Sequence, residues 1–233
     1  MKTRPDIKKF SSSSDYLEIY WDDTGQLRTA KFRDIFFSRN GIEEARHVFM
    51  AGNNLPGNFK KDFHIGELGF GTGLNLFLAL KLWREWDPKE VLRFTSFEID
   101  PLPGRVMAQA LDKFNSIRGI LRAFLLQWEK CETNIKLPNL AFEIIVGDVR
   151  DTILTFNQKV DCWFLDGFSP NSNPEMWESN LFKHVAERTK PGGTLSSFSS
   201  AAMVRKNLME AGFEITRAPG FGKKKHMIKG YLI

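Results

Sequence analysis

Three stretches of this sequence place chemically capable side chains beside residues that free or fix the backbone. The first reads Glu67-Leu68-Gly69-Phe70-Gly71-Thr72-Gly73-Leu74-Asn75. Glycines at alternate positions let a chain turn tightly and bring its backbone close to a ligand. The apolar run at 76–80 predicts a helix beginning near 72–75, and a helix N-terminus offers unpaired N–H groups. The spacing is not the GxGxxG of a dinucleotide fingerprint. Glu67, read as part of the turn ahead of the glycines, is also poor company for a pyrophosphate. A carboxylate there suits a ligand end that carries an amine or a sulfonium. The pattern therefore fits an S-adenosylmethionine (SAM) site better than a nicotinamide dinucleotide site, with a structural turn as the third reading. The candidate cofactor contacts are Glu67, Gly69, Phe70, Gly71, Thr72, Gly73 and Asn75.

The second group sits at expected strand ends, where open α/β sheets bind ligands. In Phe97-Glu98-Ile99-Asp100-Pro101, Glu98 is placed to hold both ribose hydroxyls, with Asp100 as its competitor. In Gly147-Asp148, Asp148 is placed to meet an adenine amino group with one oxygen while the other caps the next helix. The third stretch is Asp166-Gly167-Phe168-Ser169-Pro170-Asn171-Ser172-Asn173-Pro174-Glu175-Met176-Trp177. An acidic residue directly after a buried apolar strand is costly unless solvated, paired or liganded. A carboxylate beside a ring on a rigid loop suits an amine substrate. Asp166 attracts the ammonium and orients the amine, and it is counted among the cofactor contacts too. Phe168 stacks on a flat base or faces a cation. With an ordinary pKa of about 4, an Asp is a weak base, so positioning is the expected role.

These residues need a scaffold that gathers them. From residue 63 the pattern alternates between strand and helix. A strand leads into the glycine turn, followed by a helix at 74–86 and a strand at 92–97. Helical character covers 103–115 and 117–130, and 132–139 reads as irregular. A strand at 142–146, a short helix at 150–156 and an almost unbroken apolar strand at 160–165 follow. A helix at 180–188 is closed by Lys190-Pro191-Gly192-Gly193, ahead of a strand at 194–198 and a helix at 201–210. The last strands are 213–217 and 226–232, joined by a glycine- and lysine-rich turn. This alternation predicts a mostly parallel sheet covered on both faces, with the final two strands antiparallel at an edge. Residues 1–15, with their serine run, read as a flexible terminus. Residues 16–60 read as a small extension packed on the core, and 61–233 as the main domain. In the extension, 16–21 and 26–31 form a hairpin around Asp22-Asp23-Thr24-Gly25, and 42–49 forms a short helix. Phe36, Phe37 and Phe49 dock the extension on the core, or one of them lines a substrate pocket.

Composition sets the outer limits. The chain has 233 residues, 42% hydrophobic and 26% charged, which is ordinary for a globular domain with a real core. Its 21 phenylalanines and six tryptophans leave aromatic surface for stacking as well as core. A net charge of +5 permits a nucleic acid partner without requiring one. Cys131 and Cys162 are too few for a disulfide framework. With no signal peptide and no membrane-length apolar run, a cytoplasmic location is expected. The four histidines show no metal-ligand spacing, and there is no nucleophile elbow for a hydrolase.

Taken together, these residues resemble the methyltransferase part of the bacterial tRNA 5-methylaminomethyl-2-thiouridine biosynthesis enzymes. The matching segments are Asp34-Ile35-Phe36-Phe37-Ser38, the stretch from Gly41 through Phe49 with Gly52-Asn53, the glycine turn, Ser96-Phe97-Glu98, and 161–177. They continue through 191–195, Ser200-Ala201-Ala202-Met203-Val204-Arg205, Ala211-Gly212-Phe213 and Gly220-Phe221-Gly222-Lys223-Lys224. The block from Asp166 to Trp177 is the most specific. The resemblance implies an α/β, class I Rossmann-like SAM-dependent methyltransferase: a mostly parallel seven-stranded sheet with an antiparallel edge strand and a small N-terminal β-hairpin extension. It implies methylation of the 5-aminomethyl amine of uridine or 2-thiouridine at the tRNA wobble position, with SAM as cofactor and neither FAD nor metal. Asp166 and Phe168 would be the catalytic pair, and Phe36, Arg46, Arg205, Lys223 and Lys224 the substrate or tRNA contacts. In two-domain relatives a FAD-dependent oxidase follows. A chain ending at Ile233 is expected to be the stand-alone form, with a separate enzyme supplying the aminomethyl substrate. Two segments depart from the family pattern, Ile99-Asp100-Pro101 and Lys225-His226-Met227, and neither removes a catalytic candidate. The competing readings are a SAM-dependent methyltransferase for another amine, on a small molecule or a protein, and a non-catalytic RNA-binding module.

Overall fold

The computed structural model describes residues 16–130 and 133–233. The expectations for residues 1–15 and for Cys131 lie outside the described residues. The chain begins with three short antiparallel strands, β1 (Ile19–Trp21), β2 (Leu27–Thr29) and β3 (Asp34–Ile35). The expected hairpin is β1–β2, in register Tyr20↔Arg28. Its turn is built by Asp22, whose carboxylate accepts from the Thr24 and Gln26 backbone N–H groups at 2.9 and 3.0 Å. The third strand is an addition: two residues are too few to show a period, and only the pairing Arg28↔Ile35 reveals it. Next comes α1 (Gly41–Ala45), which continues through Arg46–Ala51 with wider π-helical turns.

The remainder alternates. In order it comprises β4 (His64–Leu68), α2 (Leu74–Trp86), β5 (Leu92–Glu98), α3 (Gly104–Leu111), α4 (Arg118–Trp128), β6 (Asn134–Leu137) and β7 (Leu140–Val146). Then follow α5 (Val149–Thr152), β8 (Val160–Leu165), α6 (Ser179–Glu187), β9 (Thr189–Ser197), α7 (Ala202–Glu210), β10 (Phe213–Pro219) and β11 (His226–Leu232). All but β1–β3 form one eight-stranded sheet, ordered β10-β11-β9-β8-β4-β5-β7-β6. The pairs β9–β8, β8–β4, β4–β5 and β5–β7 are parallel, and β11 runs antiparallel between β9 and β10.

Two details differ from the sequence reading. The stretch read as irregular contains β6, an antiparallel partner of β7 in register Ile135↔Phe142, so the sheet has eight strands rather than seven. Lys190-Pro191-Gly192-Gly193 does not end a helix ahead of a strand. The pairing passes from Val160↔Thr189 directly to Cys162↔Thr194, so these residues bulge out of β9.

Strand β8 is buried along its whole length, as a central parallel strand with helices on both faces must be. Alternation sends Cys162 and Phe164 into one core and Trp163 and Leu165 into the other. The first core also holds α2, α3 and α4 through Phe77, Met107 and Phe124, together with Leu17, Leu27 and Phe49 from the extension. The order of strands reverses between β4 and β8. The crevice outside their C-terminal ends is therefore where this architecture binds ligands.

Candidate active site

A cavity of about 440 Å³ opens at that switch point, within the range of small-molecule sites. Its floor is the glycine turn between β4 and α2. Gly69 continues the sheet by donating to the Phe97 carbonyl at 2.9 Å. Its φ is +88°, and a Cβ there would lie 2.5 Å from the Asp166 carbonyl oxygen, so no larger residue fits. Gly73, at φ +77°, turns the chain into α2. The ring of Phe70 faces inward, 5.1 Å from Phe142 and 5.3 Å from Trp128, and leaves its backbone beside the cavity.

Glu98, at the end of β5, lines the cavity and grips this turn. Its Oε2 accepts from the backbone N–H groups of Phe70 and Gly71, both at 3.0 Å, and its Oε1 from that of Asp100 at 3.0 Å. Burial raises the pKa of Glu98, while the backbone donors oppose the rise. Asp100, the competitor for the ribose role, instead accepts from the Leu17 backbone N–H at 3.0 Å and ties the extension to the β5 end.

Glu67 is the penultimate residue of β4 rather than part of the turn, and its side chain is fully buried. It lies behind the cavity wall. The Asn75 Nδ2 donates to Glu67 Oε1 at 3.0 Å, and Ser96 Oγ donates to Oε2 at 2.8 Å. The same Asn75 nitrogen donates to Asp166 Oδ2 at 2.7 Å. One amide thus joins a carboxyl in the core to a carboxyl in the cavity. Burial, reinforced by the nearby Asp166 charge, holds Glu67 well above the usual carboxylate range. Asp166 follows β8, with its N–H on the Leu68 carbonyl at 3.0 Å. Burial pushes its pKa up to about 7; the Asn75 hydrogen bond and Lys224 oppose the rise, and Glu44 and Asp34 add to it. A carboxylate titrating there is matched to proton transfer near neutrality, which departs from the weak base expected of an ordinary Asp.

Asp148 caps α5, accepting from the Arg150 N–H at 2.9 Å. The sequence reading left its second oxygen free. Instead the Arg150 guanidinium spans both oxygens, with Nη2 2.6 Å from Oδ2 and Nε 3.1 Å from each. That contact lowers the Asp148 pKa against its partial burial.

The opposite wall is aromatic and comes largely from the extension. Phe168 stacks on Phe32, with centroids 4.9 Å apart, and meets Phe36 edge-on at 5.5 Å. Asp34 Oδ2 accepts from the Ser169 N–H at 3.1 Å and fixes this loop against β3. Lys224, from the turn between β10 and β11, reaches inward to Glu44 at 3.1 Å and over the Phe198 ring at 4.2 Å.

A family model described as an S-adenosyl-L-methionine-dependent methyltransferase matches residues 112–233. The chain belongs to this family. It is 35% identical over 229 residues to the tRNA 5-methylaminomethyl-2-thiouridine biosynthesis bifunctional protein MnmC of Stutzerimonas stutzeri, covering 93% of this chain and 35% of that protein. It is 38% identical over 211 residues to the protein of the same name from Leptospira borgpetersenii, covering 86% of this chain and 32% of that protein. This chain thus spans about a third of the length of these relatives. Among solved structures, MnmC2 from Aquifex aeolicus superposes with a TM-score of 0.76 at 27% identity, over 92% of this chain and 70% of that one. The glycopeptide N-methyltransferase MtfA, at a TM-score of 0.50 and 14% identity, covers 84% of this chain and 88% of its own and shares the fold alone.

For a methyltransferase of this family the cavity chemistry is consistent. Carboxylates from Asp34, Glu44, Glu98, Asp148 and Asp166 line it, which suits a sulfonium and an amine, and the glycine turn leaves its backbone open to a close ligand. Phe36, Phe70, Gly69, Gly71, Thr72, Asn75 and Phe168 line the same cavity. Arg46 and Lys223 are exposed and lie outside it; Arg205 also lies outside, with its Nε on the Ser200 carbonyl. Phe32, Asp34, Glu44, Arg150 and Phe198 are wall residues that the sequence reading did not select. The Phe-rich 32–37 segment hinted at Phe32 and Asp34 alone. Among the described residues no three His, Cys, Asp or Glu side chains are grouped to hold a metal ion, and no helix is long and apolar enough to cross a membrane.

Proposed function

We propose that this chain methylates the 5-aminomethyl amine of uridine or 2-thiouridine at the tRNA wobble position, using SAM, and corresponds to the methyltransferase portion of the bifunctional relatives. The observation that carries this reading is Asp166, a carboxyl with a pKa of about 7 beside the Phe168–Phe32 aromatic wall. A flat base bearing an amine needs both features. On this reading residues 61–233 are the methyltransferase domain, and 16–60 are an extension supplying one wall of the acceptor site. The aminomethyl group is made at a different active site, and the reaction takes place in the cytoplasm.

The cofactor reading assigns the methionine end of SAM to the glycine turn and Asn75, the ribose to Glu98 and the adenine to Asp148. When bound, SAM supplies a methyl group made electrophilic by its sulfonium. Glu98 keeps the turn in shape, and for Asp148 to accept from adenine the Arg150 guanidinium must yield at least one oxygen. Glu67 acts from behind: Ser96 fixes its carboxyl, that carboxyl fixes Asn75, and Asn75 fixes Asp166. A base splayed out of an anticodon loop stacks on the Phe168–Phe32–Phe36 wall, which excludes water. The amine arrives largely as an ammonium, which has no lone pair for attack. Asp166 accepts one proton from it and holds the neutral amine in line, so alignment contributes most of the acceleration. Lys223 and Arg46, exposed and next in sequence to the lining residues Lys224 and Ala45, supply phosphate contacts that position the RNA.

The test is methyl transfer from labelled SAM to tRNA from cells that accumulate 5-aminomethyluridine, with wild type and Asp166→Ala side by side. Labelled 5-methylaminomethyluridine at the wobble position, strongly reduced by the substitution, is expected. SAM binding without transfer to that tRNA would overturn the substrate assignment.

A further inference from the structure

Of the lysines at 223–225, Lys224 turns back onto the cavity wall. Its ammonium sits 3.1 Å from Glu44 Oε1 and 4.2 Å from the centroid of the Phe198 ring. All three residues line the cavity, and the charges of Glu44 and Lys224 both act on Asp166. The two members of the ion pair are unequal. The Lys224 side chain is 50% exposed, whereas Glu44 is 16% exposed. A half-solvated lysine gains little from such a pair and can leave it for water or phosphate. Glu44, enclosed by the cavity, needs a cation to replace it. The carboxylate and the ring face together have the chemistry of an ammonium site, and the structure already shows an ammonium in it.

We propose that Glu44 and Phe198 form an alkylammonium seat in the acceptor cavity, filled by the chain's own Lys224 when substrate is absent and taken over by the substrate amine on binding. The inference rests on the reading of the acceptor as an amine. Glu44 is then a second substrate-positioning residue. It holds the protonated amine on entry, before the proton passes to Asp166. The lysine, once displaced, is free at the cavity mouth for the phosphate of an incoming RNA. Selection against neutral 5-substituents follows, because a neutral group cannot compete with Lys224 for Glu44.

The seat is tested with benzylammonium chloride as a simple probe, followed by NMR titration of wild type, Glu44→Gln and Lys224→Met, with SAM affinity in the same samples as the check on folding. Weak binding to wild type is expected, about threefold or more tighter binding to Lys224→Met, and loss in Glu44→Gln. In parallel, Glu44→Gln should raise KM for aminomethyl tRNA about tenfold with SAM affinity unchanged. Equal benzylammonium binding by Glu44→Gln and wild type would overturn the seat, as would failure of Lys224→Met to bind more tightly. If the benzylammonium pattern holds but wild type does not methylate aminomethyl tRNA, the seat stands and the tRNA assignment falls.

Discussion

Asn75 Nδ2 donates to Asp166 Oδ2 at 2.7 Å while also holding Glu67 Oε1 at 3.0 Å. Two carboxyls that would otherwise repel are joined by one neutral amide. Because the Asn75 hydrogen bond favours the ionised form of Asp166, it keeps the pKa from climbing beyond about 7. The base is the ionised form, so the wild-type rate should rise as pH passes upward through about 7. In Asn75→Ala that limb should move to higher pH, with a rate at neutrality about tenfold lower. A pH–rate profile at saturating SAM measures this, and an unmoved limb would remove Asp166 from proton transfer.

Asp166 also sets a stability cost. Its folded-state pKa of about 7 lies above the ordinary 3.8. Between those values the folded chain keeps a proton that the unfolded chain has lost. The contribution to stability is greatest below the ordinary value and is lost as pH rises toward about 7. Asp166→Asn should therefore leave stability near pH 4 unchanged and add roughly 1–3 kcal/mol at pH 8, while lowering the rate about 100-fold or more. Urea unfolding at both pH values, beside the transfer assay, checks the two effects. A variant equally stable at both would show that the Asp166 carboxyl carries no burial cost.

Glu98 holds three backbone donors before any ligand arrives. Its replacement should damage the turn as well as the ribose contact. Glu98→Ala is expected to weaken SAM binding about 10- to 100-fold, the scale of losing several charge-assisted hydrogen bonds. It should also speed amide exchange at Phe70, Gly71 and Asp100 in protein without SAM. Unchanged exchange in that state would confine Glu98 to ligand contact.

The contrast between these residues and the walls around them shows what a linear reading reaches. The glycine turn, Glu98, Asp148 and Asp166 are each local signals at strand ends, and the structure places all three carboxylates on one cavity. Helix 74–86 was legible from its apolar face and strand 160–165 from its almost unbroken apolar run. Strand β6 was not: of its four residues only Ile135 is fully buried, too short an alternation to separate from a loop. Glu67 reads as part of the turn because it comes just before the glycines; inside a central strand its charge is costly, and only Asn75 at the start of α2 and Ser96, its register partner on β5, explain its burial. Glu44 carries no local mark and Phe32 only that of a Phe-rich segment, since their role depends on the extension folding across the strand ends. Arg150 was invisible as a partner because the pairing is a choice of rotamer rather than of spacing.

Phe32 is the sharpest test of that extension. Its ring stacks at 4.9 Å on Phe168, a spacing that leaves no room for a base between them. A nucleobase must therefore either lie on the outer face of the pair or part the rings. In both cases Phe32→Ala removes half of the stacking wall. Losing one aromatic platform costs about 1–3 kcal/mol per stacked base, so KM for aminomethyl tRNA should rise roughly 5- to 100-fold, with SAM affinity close to wild type. Phe32→Leu keeps the apolar volume but not the flat face, and should recover folding stability without recovering KM. Full recovery of KM in Phe32→Leu would mean that the residue only packs the extension against Phe168. A change confined to SAM affinity would place the base elsewhere in the cavity.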